Sequence, residues 1–490
     1  MIRRLLLNRG NLEKTALMDG RKNITYGELA RKGFALQHLL PPKPSNVAIF
    51  LPNGIDFIAA VFGTFWFGMT AFPLNVRMTE DEILPLLKQA DVSAVITSKK
   101  AAPMFEGFRA DHLPDFQVLC MEELCPFESE NFPPAAESDP DEPMVLLSTS
   151  GTTGKAKIVQ LSEKNVESSV LGYLDRIRYC LKSDKKEIRY IIVAPFSTAY
   201  SLMILSVCLM RSYPIVLMQE GFTLDTFYRT VQDSRVTNYE GGAMVPFLME
   251  QTLGRPIPYD LHGLKHFGFG GSKVSGRTIR KLSDAYPWID FWQGYGMTEA
   301  SPLITKYADT KGKKLESVGP AIKRVRIAIK SGGRITEFPD TKGEILVKGP
   351  NVMLGYYKNG EETRKILKNG YLYTGDIGYL DEDGYLYLCG RKKNVIIVRG
   401  FNVYPEEVEA CIQNSLLAKD CLVYGETDAL GNETVCADIV PRDPSIQADK
   451  IRAYLKDHLS DYKQPQKIRF VKAIQKAASG KSERASGAKR

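Results

Sequence analysis

Short β-rich apolar runs alternate with helical patterns through the first three quarters of this chain, and that alternation restricts the fold more than any other feature. VAIFL (47–51), SAVIT (93–97), YIIVAPF (190–196), PIVLM (214–218), TNYEG (237–241) and HFGFG (266–270) read as strands. Segments 79–90 and 275–285 carry helical spacing between them. The apolar stretch from Phe57 to Phe72 contains glycines and reads as a buried helix running into a strand. Strands separated by helices point to parallel sheets with helices covering their faces. An acidic, Pro-rich stretch at 126–143 reads as a surface connector between an amino-terminal subdomain and the hydroxyl-rich segment 146–157.

From residue 343 the texture changes. GEILVKG, GYLYTGDIGYLDEDGYLYLCG and NVIIVRG are short alternating strands broken by Asp-Gly and Gly turns, which predicts antiparallel structure. After Gly400 a small βαβ-like unit is predicted: helix 405–414, strands 420–424 and 434–440, helix 447–459 and strand 467–471. The charged break Arg391-Lys392-Lys393 separates two strand patterns and sets the expected domain boundary, giving units 1–391 and 392–490. The last residues, SERASGAKR, are polar and expected to fray, and the sequence shows no internal repeat.

With 490 residues the chain has length for about three domain-sized units. Its 44% apolar and 25% charged content is that of a soluble globular protein. The formal net charge of +8 favours anionic small-molecule or protein partners, and it is too diffuse to argue for nucleic acid. Eight scattered cysteines form no C-x-x-C pair and only five histidines accompany them, which argues against structural zinc and for free thiols in a reducing compartment. MIRRLLLNRG is too short in its apolar run for a signal peptide or a membrane span. A soluble, cytoplasmic protein without a membrane span is expected.

Residues 146–157, LLSTSGTTGKAK, continue the apolar run PMVLL, which reads as a buried strand. Glycines allow backbone N–H groups to turn inward and hydroxyls add donors and acceptors, so such a loop can wrap a polyphosphate, with Lys155 or Lys157 supplying charge. It is not a Walker loop, because Thr149 stands where that pattern needs glycine and Ala156 where it needs Ser or Thr. By itself the stretch also suits a flexible Ser/Gly loop.

Further clusters add chemistry. YGMTEAS (295–301) comes after the apolar strand IDFWQ and places Thr298 and Glu299 at a strand end, where ligands sit in open α/β sheets. A glutamate there can hold a hard cation such as Mg²⁺ and a threonine can bond a phosphate; TEAS is equally a turn with a helix cap. YTGDIG (373–378) sets Asp376 in a Gly-flanked turn, where its carboxylate could accept two ribose hydroxyl protons or merely close the turn. GRKK (390–393) offers Arg391 nearby, and ASGKSER (478–484) puts Lys481 on a Gly-containing loop. Alone, that lysine carries no argument.

The ordered set, together with ITYGELA (24–30) and VAIFLPNG (47–54), resembles the adenylate-forming superfamily of acyl-CoA synthetases, aryl-acid ligases, luciferase-like enzymes and adenylation domains, over nearly the whole chain. The resemblance implies an α/β fold: a large amino-terminal domain of layered sheets and helices with a β-barrel-like subdomain, and a small mobile α+β carboxy-terminal domain. It implies that Thr149, Ser150, Gly151, Thr152, Thr153, Gly154 and Lys157 hold the ATP phosphates, and that Gly270, Gly271 and Ser272 lie against adenine. Gln293, Gly294, Tyr295 and Thr298 would flank the acyl-adenylate, Glu299 would hold Mg²⁺, and Asp376 and Arg391 would hold the ribose. Lys481 would bridge the carboxylate and the α-phosphate, Lys393 would be the hinge, and Arg399 and Gly400 would meet the thiol substrate.

By position in that pattern the acid pocket draws on Thr198, Tyr239, Gly241, Gly294, Pro302 and Leu303, mostly apolar and without fixed charge; Tyr239 suits a core position equally. Departures are informative. Thr198 in PFSTAYS (195–201) replaces a histidine frequent in relatives, so pocket gating differs, and Ser197 stands where amino-acid-activating relatives have aspartate, which disfavours an α-amino acid. Gln475 and Ala156 replace frequent prolines, and Ile397 stands where some relatives have lysine. The insertion of fatty acyl-AMP ligases has no room between Glu299 and Gly343. The expected function is an ATP- and Mg²⁺-dependent ligase that converts a hydrophobic carboxylic acid, aryl or fatty, to acyl-AMP and then transfers it to coenzyme A. Loading of an acyl carrier protein is the near alternative, and a non-catalytic nucleotide-binding homologue the distant one. Oxidative chemistry of the luciferase kind has no positive support in the residues.

Overall fold

The computed structural model describes residues 1–7, 12–20, 22–42, 45–129, 131–149, 156–181, 188–218, 220–307, 314–398, 401–427 and 433–474. Two large sheets dominate. One runs in the order Leu303–Lys306, Asp290–Gly296, His266–Gly270, Asn238–Gly242, Tyr190–Ile192, Ile215–Leu217, Thr15–Asp19, Lys22–Thr25, and is parallel except at its two edge pairs. The other runs Gly355–Tyr356, Lys157–Ser162, Pro143–Thr149, Thr70–Pro73, Asn46–Phe50, Val92–Thr97, Gln117–Cys120.

Helices Ile55–Trp66, Glu163–Leu181 and Ala199–Arg211 share one continuous core with the inner faces of both sheets. The outer face of the first sheet is covered by helices Leu224–Asp233, Met244–Gln251 and Gly276–Ala285, and that of the second by Glu80–Gln89 and Ala102–Asp111. A layered α/β body results. Helix starts reflect local chemistry: Thr25 with Glu28 and Thr79 with Glu82 close reciprocal capping boxes.

The expected strand 190–196 stops at Ile192. Asn53 takes over the backbone beyond it, donating to the Ala194 carbonyl at 3.0 Å and accepting from Phe196 N–H at 2.7 Å. Pro195 brings no N–H for a ladder, and Thr198 then caps the helix Ala199–Arg211.

The antiparallel region is a six-stranded sheet, Arg334–Thr336, Arg326–Ser331, Gly343–Lys348, Tyr371–Leu380, Leu367–Lys368, with Leu386–Arg391 on the side of Tyr371–Leu380. Among the described residues it stays open and does not close into a barrel. Beyond it, Ile396–Val398 pairs with Phe401–Val403, and Ala418–Thr427, Glu433–Pro441 and Lys467–Phe470 form a three-stranded sheet. The crossover from Glu433–Pro441 through helix Ala448–His458 to Lys467–Phe470 is the predicted βαβ element. This unit has a core of its own, built from Ile396, Val408, Ile412, Val423, Ile439 and Leu455 among others.

The short turn Lys392–Asn394 joins the two bodies. Lys392 Nζ reaches Glu344 at 2.9 Å on one side and Asn394 Nδ2 reaches Glu406 at 3.2 Å on the other. No disulfide joins the described cysteines, and no described helix is long and apolar enough to cross a membrane.

Candidate active site

Strand order places the site. The chain leaves Tyr190–Ile192 for Ile215–Leu217 on one side and returns to Asn238–Gly242 on the other, so the strand order reverses there. Crevices at such points, outside the carboxyl ends of strands, are where open α/β sheets bind ligands. Thr198, Gly271, Ser272, Thr298 and Glu299 all lie just past carboxyl ends of this sheet. Gly271 adopts φ +82°, and nothing lies within 4 Å of where a Cβ would stand, so a flat ligand could approach the backbone there.

Glu299 sits on the turn Thr298–Ala300 and is buried. Tyr356, on the edge strand of the other sheet, donates its hydroxyl to Glu299 Oε1 at 2.8 Å. Met353 N–H bonds the Glu299 carbonyl at 2.9 Å, so the two sheets meet at this residue. Burial first, then Glu299, pushes the Tyr356 hydroxyl far above its ordinary range, so it remains a donor. Lys157 Nζ lies 5.1 Å from the Tyr356 ring centroid and is ion-paired with Glu362. Lys157 faces Thr149 across the antiparallel pair Pro143–Thr149 and Lys157–Ser162, which forms the stem of the loop singled out in the sequence. Ser150, Gly151, Thr152, Thr153 and Gly154 lie outside the described residues, as do Arg399, Gly400 and Lys481.

A second group forms around Asp376. Tyr295 donates to Asp376 Oδ2 at 2.7 Å, and Arg391 Nε bonds Oδ1 at 2.8 Å across the strand pair Tyr371–Leu380 and Leu386–Arg391. The Asp376 N–H is held by Thr374 Oγ1 at 3.1 Å. Desolvation, with Asp376 second, holds the Tyr295 hydroxyl well above its usual range, again as a donor. Gln293 is buried; its Oε1 accepts from Val274 N–H at 2.8 Å, and its Nε2 has no partner. A buried, unsatisfied amide donor is costly and marks a place where a ligand acceptor belongs.

The residues expected around the acid pocket fall in two places. Gly294 and Leu303 lie together, with Leu303 Cδ1 3.6 Å from where a Gly294 Cβ would lie, and the Pro302 carbonyl lies against Gly296; Thr198 caps the helix Ala199–Arg211. Tyr239 does not join them: its ring stacks on Phe267 with centroids 4.1 Å apart and meets Phe227 edge-on. Its partner Gly241 goes with it, because a Cβ there would fall 2.3 Å from the Tyr239 hydroxyl. Apolar neighbours on that outer face outcompete the crevice for the ring.

Two charged side chains are buried next to this strand end. Glu240 and Lys306, both buried, form an ion pair at 3.1 Å beside Gly294. Tyr173 donates to Glu240 Oε1 at 2.6 Å, Tyr200 donates to Oε2, and Lys306 Nζ lies 3.3 Å from the Tyr200 hydroxyl. Desolvation lowers the Lys306 ammonium despite the opposing pull of Glu240. Tyr356, Glu362, Glu240 and Lys306 were missed in the sequence. For the last two a signal existed: a lone charge inside an otherwise strand-like run, TNYEGG and LITKY.

With this geometry in place, comparison with known proteins is decisive. The model of the AMP-binding enzyme family matches residues 7–357, and that of the AMP-binding enzyme C-terminal domain matches 407–481. The chain belongs to the AMP-binding enzyme family. A 2-succinylbenzoate–CoA ligase of Bacillus cereus (strain AH820) is 28% identical over 475 residues, covering 96% of this chain and 94% of the relative. A feruloyl-CoA synthase of an Amycolatopsis species is 30% identical, covering 95% and 94%. The o-succinylbenzoate CoA synthetase of Bacillus subtilis, solved with its acyl-adenylate intermediate OSB-AMP, superposes with a TM-score of 0.83 at 25% identity, covering 98% of this chain and 96% of that one. The same synthetase solved with ATP and magnesium ion gives 0.81 at 25% identity, covering 98% and 97%. The α/β fold with a large amino-terminal body and a small carboxy-terminal one is therefore that of AMP-binding enzymes, and the two relatives named above, a 2-succinylbenzoate–CoA ligase and a feruloyl-CoA synthase, are each matched over at least 95% of this chain.

Proposed function

We propose that this AMP-binding enzyme is an ATP-dependent acid–thiol ligase that forms an acyl-AMP with release of pyrophosphate and then transfers the acyl group to coenzyme A. The observation that carries the reading is Asp376 fixed between Tyr295 and Arg391 on one side of the crevice, with Glu299 fixed by Tyr356 on the other. A carboxylate held by two donors still has lone pairs for two ribose hydroxyls. Gln293 Nε2 supplies the missing donor for a nucleotide acceptor.

The first step brings two anions together, so charge neutralisation dominates it. Glu299 fits a hard cation: Tyr356 occupies one carboxylate oxygen, and the other accepts no bond from a described residue. Mg²⁺ is held by one or two such oxygens plus substrate phosphates, and there it would neutralise phosphate charge. Lys157 supplies further positive charge from the stem of the hydroxyl-rich loop, and Thr298 a hydroxyl for the α-phosphate. We assign to Lys481 the contact that joins the attacking carboxylate oxygen to the α-phosphorus. Attack at phosphorus forms the C–O–P anhydride and expels pyrophosphate; attack of the thiolate sulfur on the carbonyl carbon then expels AMP.

The two steps need different groups at one place. A turn of the small unit, residues 392–490, about Lys393 exchanges Lys481 for Arg399 and Gly400. The separate core of that unit supports a rigid-body turn. The cytoplasm, which supplies both ATP and coenzyme A, is the compartment we assign to the reaction.

The test is acid-dependent exchange of labelled pyrophosphate into ATP over a panel of aryl and alkyl acids, with thioester analysis in the presence of coenzyme A. Exchange with thioester is the expected result. Exchange without thioester transfers the acceptor role to a carrier protein, and ATP binding without exchange favours the non-catalytic reading.

A further inference from the structure

We infer that Asn165 and Asn351 are positioning residues for the adenylation step: through one irregular segment they lock the turn carrying Thr298 and Glu299 to the strand that forms the stem of the hydroxyl-rich loop. The inference rests on the ligase reading above and deepens it.

The turn needs a lock. Directly after Thr298–Ala300, Ser301 adopts φ +60°. A residue with a Cβ occupies this left-handed region at a cost and stays there only where its surroundings over-determine it. Ser301 does not hold itself, because its buried hydroxyl has no partner among the described residues. Asn351 supplies the restraint. Its Nδ2 donates to the Ala300 carbonyl at 3.2 Å and to the Leu303 carbonyl at 2.8 Å, one on each side of Ser301. Two carbonyls facing one terminal atom identify it as the amide nitrogen. The amide oxygen turns the other way, and a Cβ on Gly349 would fall 2.7 Å from it.

The lock is anchored. Asn351 is fully buried on the segment 349–354, between strands Gly343–Lys348 and Gly355–Tyr356. Asn165 grips that segment on both sides of Asn351: its Nδ2 donates to the Pro350 and Val352 carbonyls, each at 2.9 Å. Its Oδ1 accepts from Ser162 N–H at 2.9 Å, and its own N–H is held by Ser162 Oγ at 3.2 Å. Ser162 ends the strand Lys157–Ser162, which begins at the loop stem. Hydrogen bonds thus lead from that strand through Asn165 and Asn351 to the residues flanking Glu299. Tyr356 orients the carboxylate, whereas these two amides fix the backbone beneath it. Phosphates held by the loop and a cation held by Glu299 must come to one distance, and a misplacement of about 1 Å can cost about a hundredfold in rate. Leucine would fill either amide site at similar volume and leave the Ala300, Leu303, Pro350 and Val352 carbonyls without these donors.

The experiment titrates Asn351→Leu, Asn165→Leu and the double variant with ATP by calorimetry, in Mg²⁺ and in EDTA, beside the native protein. Mg²⁺ is expected to tighten ATP binding to the native protein. In each variant that gain should shrink by about fivefold or more, while binding in EDTA is retained. Pyrophosphate exchange should fall by about tenfold or more, and thioester formation from supplied acyl-AMP and coenzyme A, which involves no pyrophosphate, should fall less. Because both amides act through one segment, the double variant should lose no more than the worse single one. A merely structural role would lower both half-reactions alike and leave the metal gain unchanged, and that result overturns the assignment. Losses that multiply in the double variant, or no metal gain in the native protein, overturn it too. Should Asn351→Leu fail to fold in a thermal melt, Asn351→Ser, which keeps one donor, is expected to move the same readings by less. No exchange by the native protein with any acid of the panel overturns the ligase reading instead.

Discussion

Tyr356 donates its hydroxyl to Glu299 while its ring carries the ammonium of Lys157, so one side chain ties the acidic and basic groups of the site together. Tyr356→Phe keeps the ring and removes only the bond to the carboxylate. Hydrogen bonds to charged groups are worth about 1.5–3 kcal/mol, so pyrophosphate exchange is expected to fall by about tenfold or more. The Mg²⁺ concentration for half-maximal rate should rise with it. An unchanged Mg²⁺ dependence would remove Tyr356 from the positioning of Glu299.

Tyr295→Phe frees one oxygen of Asp376 but leaves Arg391 in place. The KM for ATP is expected to rise by about tenfold with kcat less affected, since the proposed ribose contact would be made in ground and transition states alike. Arg391→Ala should produce a larger rise. Equal ATP affinity in both variants would place the nucleotide elsewhere.

Lys481→Ala separates the two half-reactions. Exchange is expected to fall by about a hundredfold or more, the scale of losing one transition-state charge contact. Thioester formation from supplied acyl-AMP and coenzyme A should persist. Loss of both halves together would mean that the variant acts through folding.

Gly268→Ala tests the packing of the ion pair. A Cβ placed 2.2 Å from the Glu240 carboxylate forces a shift that costs about 1–3 kcal/mol. Calorimetry should show a Tm lower by a few degrees. Gly242→Ala, where nothing lies within 4 Å, is the control and should melt with the native protein.

Lys157, and secondarily Lys365, lower the Glu362 carboxyl from 4.5 to about 2. A depressed carboxyl stabilises the folded chain fully above its unfolded range and loses that contribution as pH falls toward about 2. The difference in Tm between the native protein and Glu362→Gln should therefore be flat from neutral pH down to the ordinary carboxylate range, and should close below it. A difference that grows on acidification contradicts the pairing.

Much of this was legible in the sequence, for a physical reason. Runs such as HFGFG and VAIFL are buried on both faces, so composition alone marked them, and strands His266–Gly270 and Asn46–Phe50 match those expectations within one residue. The place of Thr298 and Glu299 just past a strand end was legible because a strand pattern stops shortly before them. What escaped depends on contacts distant in sequence. Tyr356 reaches Glu299 only because the two sheets meet there, and Glu362 reaches Lys157 from a helix 205 positions later, so no local pattern announces either. Tyr239 was ambiguous because a strand residue has two faces to choose from, and here the aromatic outer face takes it. The end of strand Tyr190–Ile192 was set by Asn53, a residue from just beyond a strand of the other sheet.

The turn Lys392–Asn394 is stitched to the large body through Lys392 and Glu344 and to the small one through Asn394 and Glu406. The Lys392 side chain is 63% exposed, so dissolved ions compete for that stitch. Screening at physiological ionic strength reaches about 8 Å, which weakens such a pair without touching the buried core. On the turn proposed for residues 392–490, ionic strength would then act as a brake pedal: dilute buffer should favour this stitch, and added salt should loosen it.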